Sequence, residues 1–540
     1  MNLKNNTMKE GVKMKEKFYI TTPIYYPSGK FHIGTSYTEI LADATKRYKK
    51  LRGYDAYMLT GLDEHGQKIE TVAKERGKTP QEHVDEMAEM ALKLWKRMDI
   101  QNDDFIRTTE PRHEKAAQEI FDRLMKQGDI YLGEYEGWYC LPCETYFTET
   151  QLVDGKCPEC GRDVRKMKEK SYFFNMKKYQ KKLEDFYEEH PDFVEPESRK
   201  NELFNNFIKP GIEDLCVSRT TFDWGIKVKS DPDHVIYVWL DALVNYLTAL
   251  GYLSEDDSKF KRYWPADLQI VGKDIIRFHC IYWPIFLMAL DLPVSKKVYA
   301  HGFISIKDGK MSKSKGNIIY PEELLDRYGL DATKYYLVRE FPFDQDTMFT
   351  PQSFVNRYNG DLANDLGNLL NRTVGMINKY FDGKVDTANA IETEFDEGLK
   401  GLTLKTAEEV EKCLDTIHYS NALEKTWEII SAANKYIDET QPWVLFKSEA
   451  EEDRQKLVSV MANLVEALRI VAILIQPFMQ ETANKIFETL NISEKEWDSI
   501  REFKKERGVL KVQKQIEPLF VRLEPEKEIE YLEGLINRKK

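Results

Sequence analysis

A strand-like run, a short loop and a helix-like stretch open the chain, and this order most constrains its fold. Residues 17–22 (KFYITT) are rich in aromatic and β-branched side chains, and residues 37–52 place apolar side chains on one helical face. A further strand-like run at 54–60 and a helix-like stretch near 80–98 continue the alternation. Alternating strands and helices predict βαβ units and a parallel sheet. A length of 540 residues leaves room for about three or four domains.

The loop between the first strand and the first helix contains His32, Gly34 and Thr35. A helix start offers backbone N–H groups and the positive end of a dipole to an anion, and we expect these N–H groups to be free. Gly34 lets a ligand approach the backbone, and His32 can donate to phosphate oxygens. An ordinary surface turn is an equally good interpretation of this tetrapeptide alone.

A second short string, KMSKS, occupies residues 310–314 and follows a predicted hairpin turn at Asp308 and Gly309. Lys310, Lys313 and Lys315 lie within one Ser/Gly-rich loop, which we call the Lys loop. Three ammonium groups on such a loop predict a clamp for pyrophosphate. The alternative is a solvated basic turn on the surface.

Four of the seven cysteines form two C-x2-C pairs. The pairs are Cys140 with Cys143 and Cys157 with Cys160. This paired spacing predicts a structural zinc site with four thiolate ligands. The alternative is two disulfides, which are typical of secreted proteins. The polar, Lys-rich N-terminus does not resemble a signal peptide and therefore argues against this alternative.

The second half of the chain changes its pattern. Strand signals resume at residues 235–239, 268–271 and 298–305, and we expect these runs to complete the parallel sheet. From about residue 355 the apolar spacing becomes helical and predicts a helix bundle. One such apolar stripe consists of Leu362, Leu366, Leu369, Leu370, Val374 and Ile377.

The two short strings and five longer segments resemble the class I aminoacyl-tRNA synthetases, and among them the methionyl-tRNA synthetases. The segments are PIYYPSGKFH (23–32), TGLDEHG (60–66), VWLDA (238–242), VGKDIIRFH (271–279) and QPW (441–443). The resemblance covers residues 18 to about 523. Thr35 stands where the family's first motif usually has a second His, so it can donate to phosphate but carries no charge. The insertion at 118–228 is too short for the editing insertion of the related isoleucine, valine and leucine enzymes.

The resemblance implies an α/β fold: a Rossmann-like parallel-sheet catalytic domain with a zinc-knuckle insertion, followed by an all-α anticodon-binding helix bundle. The predicted parts, in chain order, are a disordered tail (1–16), the first half of the catalytic domain (17–117), the connective insertion with the zinc knuckle (118–228), the second half of the catalytic domain (229–305), the region of the Lys loop and stem contacts (306–354), the anticodon-binding bundle (355–510) and a C-terminal segment (511–540).

The resemblance also implies a methionine pocket. Asp63 matches the carboxylate that holds the substrate ammonium group. Leu215 and Leu243 stand where some members have Trp and Pro, so we expect a different pocket shape there. Without the family, Asp63 would be interpreted as a cap or turn residue and His279 as a core histidine. The matching pocket residues are Ile24, Tyr26, Trp239, Ala242, Leu243, Tyr246, Ile275, Phe278 and His279.

Three residues of the helical half match the family's readers of the CAU anticodon: Asn368, Arg372 and Trp443. Asn368 and Arg372 are spaced so that they share one helix face. An exposed Trp can stack on an unpaired base while Asn and Arg bond to base edges. The alternative is a core tryptophan and an ordinary solvated helix face.

The implied reaction is activation of methionine with ATP to methionyl-adenylate and pyrophosphate, followed by transfer to the terminal adenosine of tRNA(Met), for translation initiation and elongation. It needs no protein nucleophile, so catalysis is positioning plus electrostatics. We expect Mg²⁺ to accompany ATP, and some editing of homocysteine, since one methyl group is worth only about 1–3 kcal/mol. The implied catalytic residues are His32, Gly34, Thr35, Lys310 and Lys313, and ATP is bound by His32, Thr35, Asp274, Lys310 and Lys313.

Composition agrees with this interpretation. The net charge of −12 argues only weakly against a nucleic-acid partner, because a local basic face is sufficient. We find no apolar run of roughly 20 residues, so we expect no membrane partner and a cytoplasmic protein. Because the chain ends before the domain through which some relatives dimerise, we expect a monomer. The rivals are a non-catalytic tRNA-binding protein with a decayed fold, and a class I cysteine ligase, whose zinc lies in the active site.

Overall fold

The computed structural model describes residues 15–143, 145–147, 149–158, 160–306, 309–310, 318–504 and 508–538. The predicted disordered tail therefore lies almost entirely outside the described residues. Lys313, Lys315 and the rest of the Lys loop after Lys310 also lie outside the described residues. Of Lys310, only the backbone is described. All other predicted site residues lie within the described ranges.

A six-stranded parallel sheet forms the core of the first half. Its strands, in spatial order, are Asp104–Arg107, Asp55–Leu62, Lys17–Tyr25, Leu268–Gly272, Val298–His301 and Val194–Glu195. The chain adds strands first on one side of Lys17–Tyr25 and later on the other. Such a reversal opens a crevice at the carboxyl ends of the central strands, where α/β proteins bind their ligands.

Both faces of this sheet are covered, as a parallel sheet requires. Ile20 belongs to the apolar cluster on one face and its neighbour Tyr19 to the cluster on the other, because strand side chains alternate. The helices of this half are Ile33–Leu51, Gln67–Glu75, Pro80–Arg97, Pro111–Lys126, Val238–Leu243, Asn245–Thr248, Ser258–Tyr263 and Trp283–Ala289.

Residues 235–239 do not join the parallel sheet, so that prediction is wrong. Strand Asp231–Ile236 lies between Lys227–Val228 and Ser218–Arg219 in an antiparallel sheet, and a helix begins at Val238. A short apolar run suits a strand or a buried helix equally well, and only the partners decide. The outer strands Asp104–Arg107 and Val194–Glu195 were not predicted, because they are too short to show an alternating pattern.

Smaller sheets flank the core. The insertion contains a four-stranded antiparallel sheet in the order Thr145–Phe147, Ile130–Cys140, Arg165–Phe174 and Leu215–Cys216, with helices Gln180–Glu189 and Glu197–Leu203. Strand Ile304–Ile306 pairs with Gly309–Lys310 on one side and with Thr347–Met348 on the other. The predicted hairpin therefore precedes the Lys loop, although its turn residues at 307–308 lie outside the described residues.

The second half is a helix bundle, as predicted. Three consecutive segments form one continuous helix, and the middle segment is π-helical. The segments are Pro351–Arg357, Tyr358–Gly367 and Asn368–Phe381. All six residues of the predicted apolar stripe are buried in it. The other helices are Pro321–Tyr328, Leu330–Glu340, Asp396–Asp415, Tyr419–Thr440, Pro442–Leu445, Glu451–Ile475, Gln480–Thr489 and Pro525–Ile536, and strands Lys384–Asp386 and Val509–Lys511 pair beside them.

Helix Glu451–Ile475 is long and apolar enough to cross a membrane by length and composition. The sequence expectation that no apolar run reaches this length is therefore wrong. Within the protein, 94% of its most apolar 18-residue window is buried. The apolar character is accounted for by packing at the centre of the bundle, where a core helix is hydrophobic all round.

Candidate functional site

Four neighbouring strands end at one edge of the parallel sheet, and a polar residue stands at each of these ends. In the spatial order of the strands, these residues are Asp63, Tyr26, Asp274 and His301. Asp63 is only 7% exposed, and its backbone N–H donates to the carbonyl of Tyr25 at 3.0 Å. The crevice predicted from the strand order therefore collects residues that are far apart in the sequence.

His32 is the N-cap of helix Ile33–Leu51 at this edge. Its Nδ1 accepts from the backbone N–H of Gly34 at 3.1 Å. Because Nδ1 accepts, the proton of the neutral imidazole lies on Nε2, so the ring can donate in the direction away from its own helix.

The first-turn N–H groups are not free, which corrects the sequence expectation. The N–H groups of Thr35 and Ser36 donate to the carbonyl of His32 at 3.0 and 3.2 Å, and that of Ile33 donates to the carbonyl of Ile319 at 3.2 Å. The tight turn closes the helix start on itself. An anion at this helix start would therefore interact with side-chain donors and with the helix dipole, and not with free backbone N–H groups.

The contact between Ile33 and Ile319 joins the two sequence strings. Ile319 follows the Lys loop, and strand Gly309–Lys310 contains the first lysine of that loop. Ser305 is the register partner of Lys310 in the preceding hairpin. The segment that follows the Lys loop is thus hydrogen-bonded to the residue after His32, at the start of helix Ile33–Leu51.

His301 is a site residue that the sequence reasoning missed. Its Nδ1 donates to the carbonyl of Gly302 at 2.8 Å, and its Nε2 lies 2.7 Å from the hydroxyl oxygen of Thr38 on the first helix. Burial lowers the pKa of His301, so the ring is neutral and accepts from Thr38. A Cβ added at Gly272 would lie 2.7 Å from Oδ1 of Asp274 and 3.8 Å from the His301 ring, so the two side chains are close together.

Most of the apolar residues predicted to line the methionine pocket belong to one apolar cluster. Trp239 stacks on Phe278 with ring centroids 3.4 Å apart and planes at 9°. Ala242 is buried on the same helix as Trp239, and Tyr26 has the ammonium of Lys68 5.0 Å above its ring. The cluster brings together Ile24, Leu215, Trp239, Leu243, Tyr246, Ile275 and Phe278.

Tyr246 and His279 add a polar wall to this cluster. Nε2 of His279 lies 2.7 Å from the Tyr246 hydroxyl oxygen, and Nδ1 donates to the carbonyl of Ile275 at 3.0 Å. Burial lowers the pKa of His279 to about 4. The ring is therefore neutral at physiological pH, its Nε2 accepts from Tyr246, and the pocket wall presents polarity without charge.

The four paired cysteines meet in the insertion. Their sulfur atoms all lie within 4.8 Å of one another, with 3.5 Å between Cys140 and Cys160 and 3.8 Å between Cys143 and Cys157. Four thiolates around one Zn²⁺ at about 2.3 Å would be about 3.8 Å apart, so the geometry fits a tetrahedral ion. All four are free cysteines, which contradicts the disulfide alternative.

The three predicted anticodon residues lie on the outside of the bundle. Asn368 is exposed, Arg372 forms an ion pair with Asp438 at 2.8 Å, and Trp443 is 40% exposed. Trp443 is therefore not a core tryptophan. Phe446, on the chain just after it, stacks on Tyr380 of the helix that carries the other two.

Comparisons with known proteins point to one family. The family described as "tRNA synthetases class I (M)" matches residues 18–167 and 163–374, and "Anticodon binding domain of methionyl tRNA ligase" matches residues 388–533. The methionine–tRNA ligase of Bacillus subtilis (strain 168) is 57% identical over 531 residues, which are 96% of this chain and 79% of that protein. The Listeria monocytogenes serotype 4b ligase is also 57% identical, over 96% of this chain and 80% of its own length.

Solved structures agree. The crystal structure of Mycobacterium tuberculosis methionyl-tRNA synthetase bound by methionyl-adenylate is 40% identical to this chain and has a TM-score of 0.88. The match covers 93% of this chain and 99% of that one. The apo form of the same enzyme has a TM-score of 0.81 at 38% identity, over 95% and 99% of the two chains.

Proposed function

The chain belongs to the methionyl-tRNA synthetase family of class I aminoacyl-tRNA synthetases, and we propose that the crevice at the carboxyl edge of its sheet binds methionine and ATP. The protein is a methionine–tRNA ligase: it activates methionine to methionyl-adenylate and transfers it to tRNA(Met). The proposals below assign the steps of this reaction to residues of the crevice, the insertion and the bundle.

Methionine is proposed to bind with its ammonium group at Asp63 and its side chain in the apolar cluster. A buried carboxylate suits a cationic group because low polarity strengthens their attraction. The stacked Trp239 and Phe278 provide a flat, polarisable wall for a thioether. Neutral His279, with Tyr246 beside it, keeps charge out of the pocket, so charged amino acids pay an uncompensated desolvation cost.

ATP is proposed to bind beside methionine, with His32 and Thr35 near its phosphates and Asp274 near its ribose. Nε2–H of His32 supplies one donor and the Thr35 hydroxyl another. Lys310 and Lys313 neutralise charge on the leaving pyrophosphate, and Mg²⁺ enters with ATP as part of the substrate. The attacking group is the methionine carboxylate itself, so the protein supplies position and charge rather than a nucleophile.

The observation that carries this proposal is the hydrogen bond from Ile33 to the carbonyl of Ile319, because it brings the residue after His32 next to the segment that follows the second short string. The test is ATP–pyrophosphate exchange measured with each of the twenty amino acids. We expect methionine to support exchange far above the others. Exchange with cysteine instead, or none with any amino acid, would overturn the assignment and favour one of the two rivals.

The insertion is proposed to hold one structural Zn²⁺ through Cys140, Cys143, Cys157 and Cys160. The short sulfur–sulfur distances support it, and four thiolates leave no open coordination position for catalysis. Metal analysis of the purified protein should find one zinc per chain. Cys157→Ser should lose that zinc and loosen the insertion, whereas Cys413→Ser, a change in a cysteine of the bundle, should keep it. Folded, active and metal-free wild-type protein would refute the site.

The helical half is proposed to read the anticodon through Asn368, Arg372 and Trp443. The exposure of Asn368 and Trp443 supports this role, because an unpaired base must reach the residue that stacks on it. We also propose the predicted domain boundaries, with the anticodon-binding bundle at residues 355–510.

A cytoplasmic location and a monomeric state complete the proposal. The location follows from the substrates, since ATP and tRNA(Met) are used together in translation. The monomeric state is checked by light scattering of the purified protein.

A further inference from the structure

A chain of buried polar side chains lies behind the crevice, and the reaction as assigned above does not use it. Asp241 is fully buried, and both its carboxylate oxygens accept hydrogen bonds. Nδ1 of His65 lies 2.7 Å from Oδ2, and Nε2 of His113 lies 2.7 Å from Oδ1. The other ring nitrogen of His113 lies 2.8 Å from the hydroxyl oxygen of Thr248.

The protons on this chain can be placed, because an ionised carboxylate only accepts. His65 therefore carries a proton on Nδ1 and His113 carries one on Nε2. Burial by itself would lower the pKa of His65, but the carboxylates of Asp241, Glu114 and Glu64 outweigh it and raise that pKa. The pKa of Asp241 is lowered: burial opposes this, and the two histidines more than compensate. The charge on Asp241 is thus matched within the network.

The chain joins the two ends of the methionine site. His65 stands two residues after Asp63, which holds the ammonium group in the proposed function. Asp241 lies on helix Val238–Leu243 between Trp239 and Ala242, which line the side-chain pocket. One carboxylate therefore connects the segment that binds the α-amino group with the helix that encloses the thioether.

The segment that contains Asp63 is also hydrogen-bonded to residues outside the pocket helix. The buried Glu64 carboxylate accepts from Arg107 at 2.7 Å, and its carbonyl accepts from the Trp224 indole at 2.7 Å. Gly66 donates to the carbonyl of Trp224 at 3.1 Å. The contact between His65 and Asp241 leads instead from the segment to the pocket helix.

We propose that Asp241 is a positioning residue which, through His65, fixes the distance between the ammonium site at Asp63 and the side-chain pocket at Trp239, and thereby sets the length of amino acid that the enzyme accepts. The inference rests on the proposed function of this crevice. It concerns residues that touch no substrate atom in that proposal and that act through Asp63 and Trp239.

The test compares Asp241→Asn with the wild type in ATP–pyrophosphate exchange. The carboxamide keeps the shape of the side chain but has one accepting oxygen, so it can accept from only one of the two imidazole N–H groups. We expect KM for methionine to rise about tenfold, because a misplaced contact loses binding, while KM for ATP stays within about twofold. Ethionine, which is one methylene longer, should lose less than methionine, so the selectivity for methionine over ethionine should fall about threefold or more.

A pair of variants at the other end of the bond separates positioning from folding. His65→Asn keeps a donor at the place of Nδ1 and should leave KM for methionine near that of the wild type. His65→Leu removes the donor and should raise KM and lower selectivity as Asp241→Asn does. The matched control is Glu466→Gln, which alters a fully buried ion-paired carboxylate of the helical half. It should lower the melting temperature and leave both KM values and the selectivity unchanged.

The outcomes decide between the inferences. Wild-type protein without methionine-dependent exchange would refute the proposed function itself. Active wild type with unchanged KM and selectivity in Asp241→Asn would overturn only the positioning role. If Asp241→Asn does not fold, the two His65 variants decide: equal KM and equal selectivity in His65→Asn and His65→Leu would overturn the proposal, and a raised KM in His65→Leu alone would support it.

Discussion

The two halves of the molecule use histidine in opposite ways. Six histidines are buried in the sheet half, at positions 65, 83, 113, 234, 279 and 301. In the described part of the helical half the single histidine, His418, is exposed. The proposed ligand residues follow the same division, because Asp63 and His279 are buried whereas Asn368 and Trp443 are exposed.

This difference follows from the size of the ligand that each half is proposed to bind. A small substrate is enclosed, so the groups around it must be buried and need partners that fix their protons; histidine supplies one donor and one acceptor for that purpose. A tRNA stays outside the protein, so its readers are presented on the surface of an apolar core. Buried polarity should therefore serve function in the sheet half and stability in the helical half.

The largest expected effect tests the helical half. Arg469 and Glu466 form a doubly hydrogen-bonded pair that is fully buried, and Arg469 also donates to the hydroxyl and carbonyl of Ser499. Arg469→Met leaves a buried carboxylate without its cation, so we expect the free energy of unfolding to fall by about 3–5 kcal/mol. Denaturant unfolding measures this, and exchange activity at low temperature should be unchanged.

The double variant Arg469→Met with Glu466→Leu serves as the control for this prediction. Replacing both partners by apolar groups should recover most of the lost stability. A large loss of methionine-dependent exchange in folded Arg469→Met protein would break the comparison, because buried polarity of the helical half would then serve the chemistry.

The second effect tests a buried carboxyl in the sheet half. Glu39 is fully buried on the first helix and accepts from Thr60 at 2.6 Å. Burial raises its pKa from 4.5 to about 7, although hydrogen bonds from Thr60, Tyr25 and Thr22 oppose the shift. Because the folded protein binds this proton more tightly than the unfolded chain does, stability is lost as the pH rises from about 4.5 to about 7.

Glu39→Gln removes that titration and keeps an acceptor for Thr60. The variant should match the wild type below pH 4.5 and exceed its unfolding free energy by about 3 kcal/mol above pH 7. Denaturant unfolding across this pH range measures the difference. Glu408→Gln, on an exposed site of the bundle, should show no such trend. A constant difference at all pH values would mean that Glu39 does not titrate in this range.

The third effect sharpens the functional side of the comparison. Lys313→Ala should slow methionyl-adenylate formation by about 100-fold, or about 2.7 kcal/mol, because charge on the pyrophosphate is greatest in the transition state. Pre-steady-state kinetics measure the step. Lys93→Ala, which removes an exposed lysine of helix Pro80–Arg97, should have no effect. Weaker methionine binding with an unchanged rate would contradict the proposed role of the Lys loop.

The smallest effect tests the surface of the bundle. Trp443→Ala should lower tRNA charging about tenfold, the size of one lost base stack, and leave ATP–pyrophosphate exchange near normal. Leu402→Ala, at another exposed apolar residue of the bundle, should change neither activity. Loss of both activities together with a lower melting temperature would show that Trp443 is structural, and the contrast between a buried and an exposed site would fail there.

The class of fold and the chemistry could be predicted from local patterns in the sequence. Strand and helix periods are local, so the βαβ pattern, the helix bundle and the paired cysteines could all be predicted from spacing. The family motifs indicated methionine, ATP and tRNA. Six of the pocket residues that the motifs predict belong to one apolar cluster: Ile24, Trp239, Leu243, Tyr246, Ile275 and Phe278. The short strings also carried the charges that a phosphate ligand requires.

The partner that each local pattern takes could be read from the tertiary structure alone. Residues 235–239, predicted as a strand of the parallel sheet, form the end of an antiparallel strand and the start of a helix. The backbone N–H groups after His32, predicted to be free, donate hydrogen bonds within the protein. The tertiary structure also united His65, Asp241 and His113 from three separate segments. Hydrogen bonds between distant segments leave no period in the sequence, since each partner is an ordinary polar residue until the fold buries the two together and makes the bond obligatory.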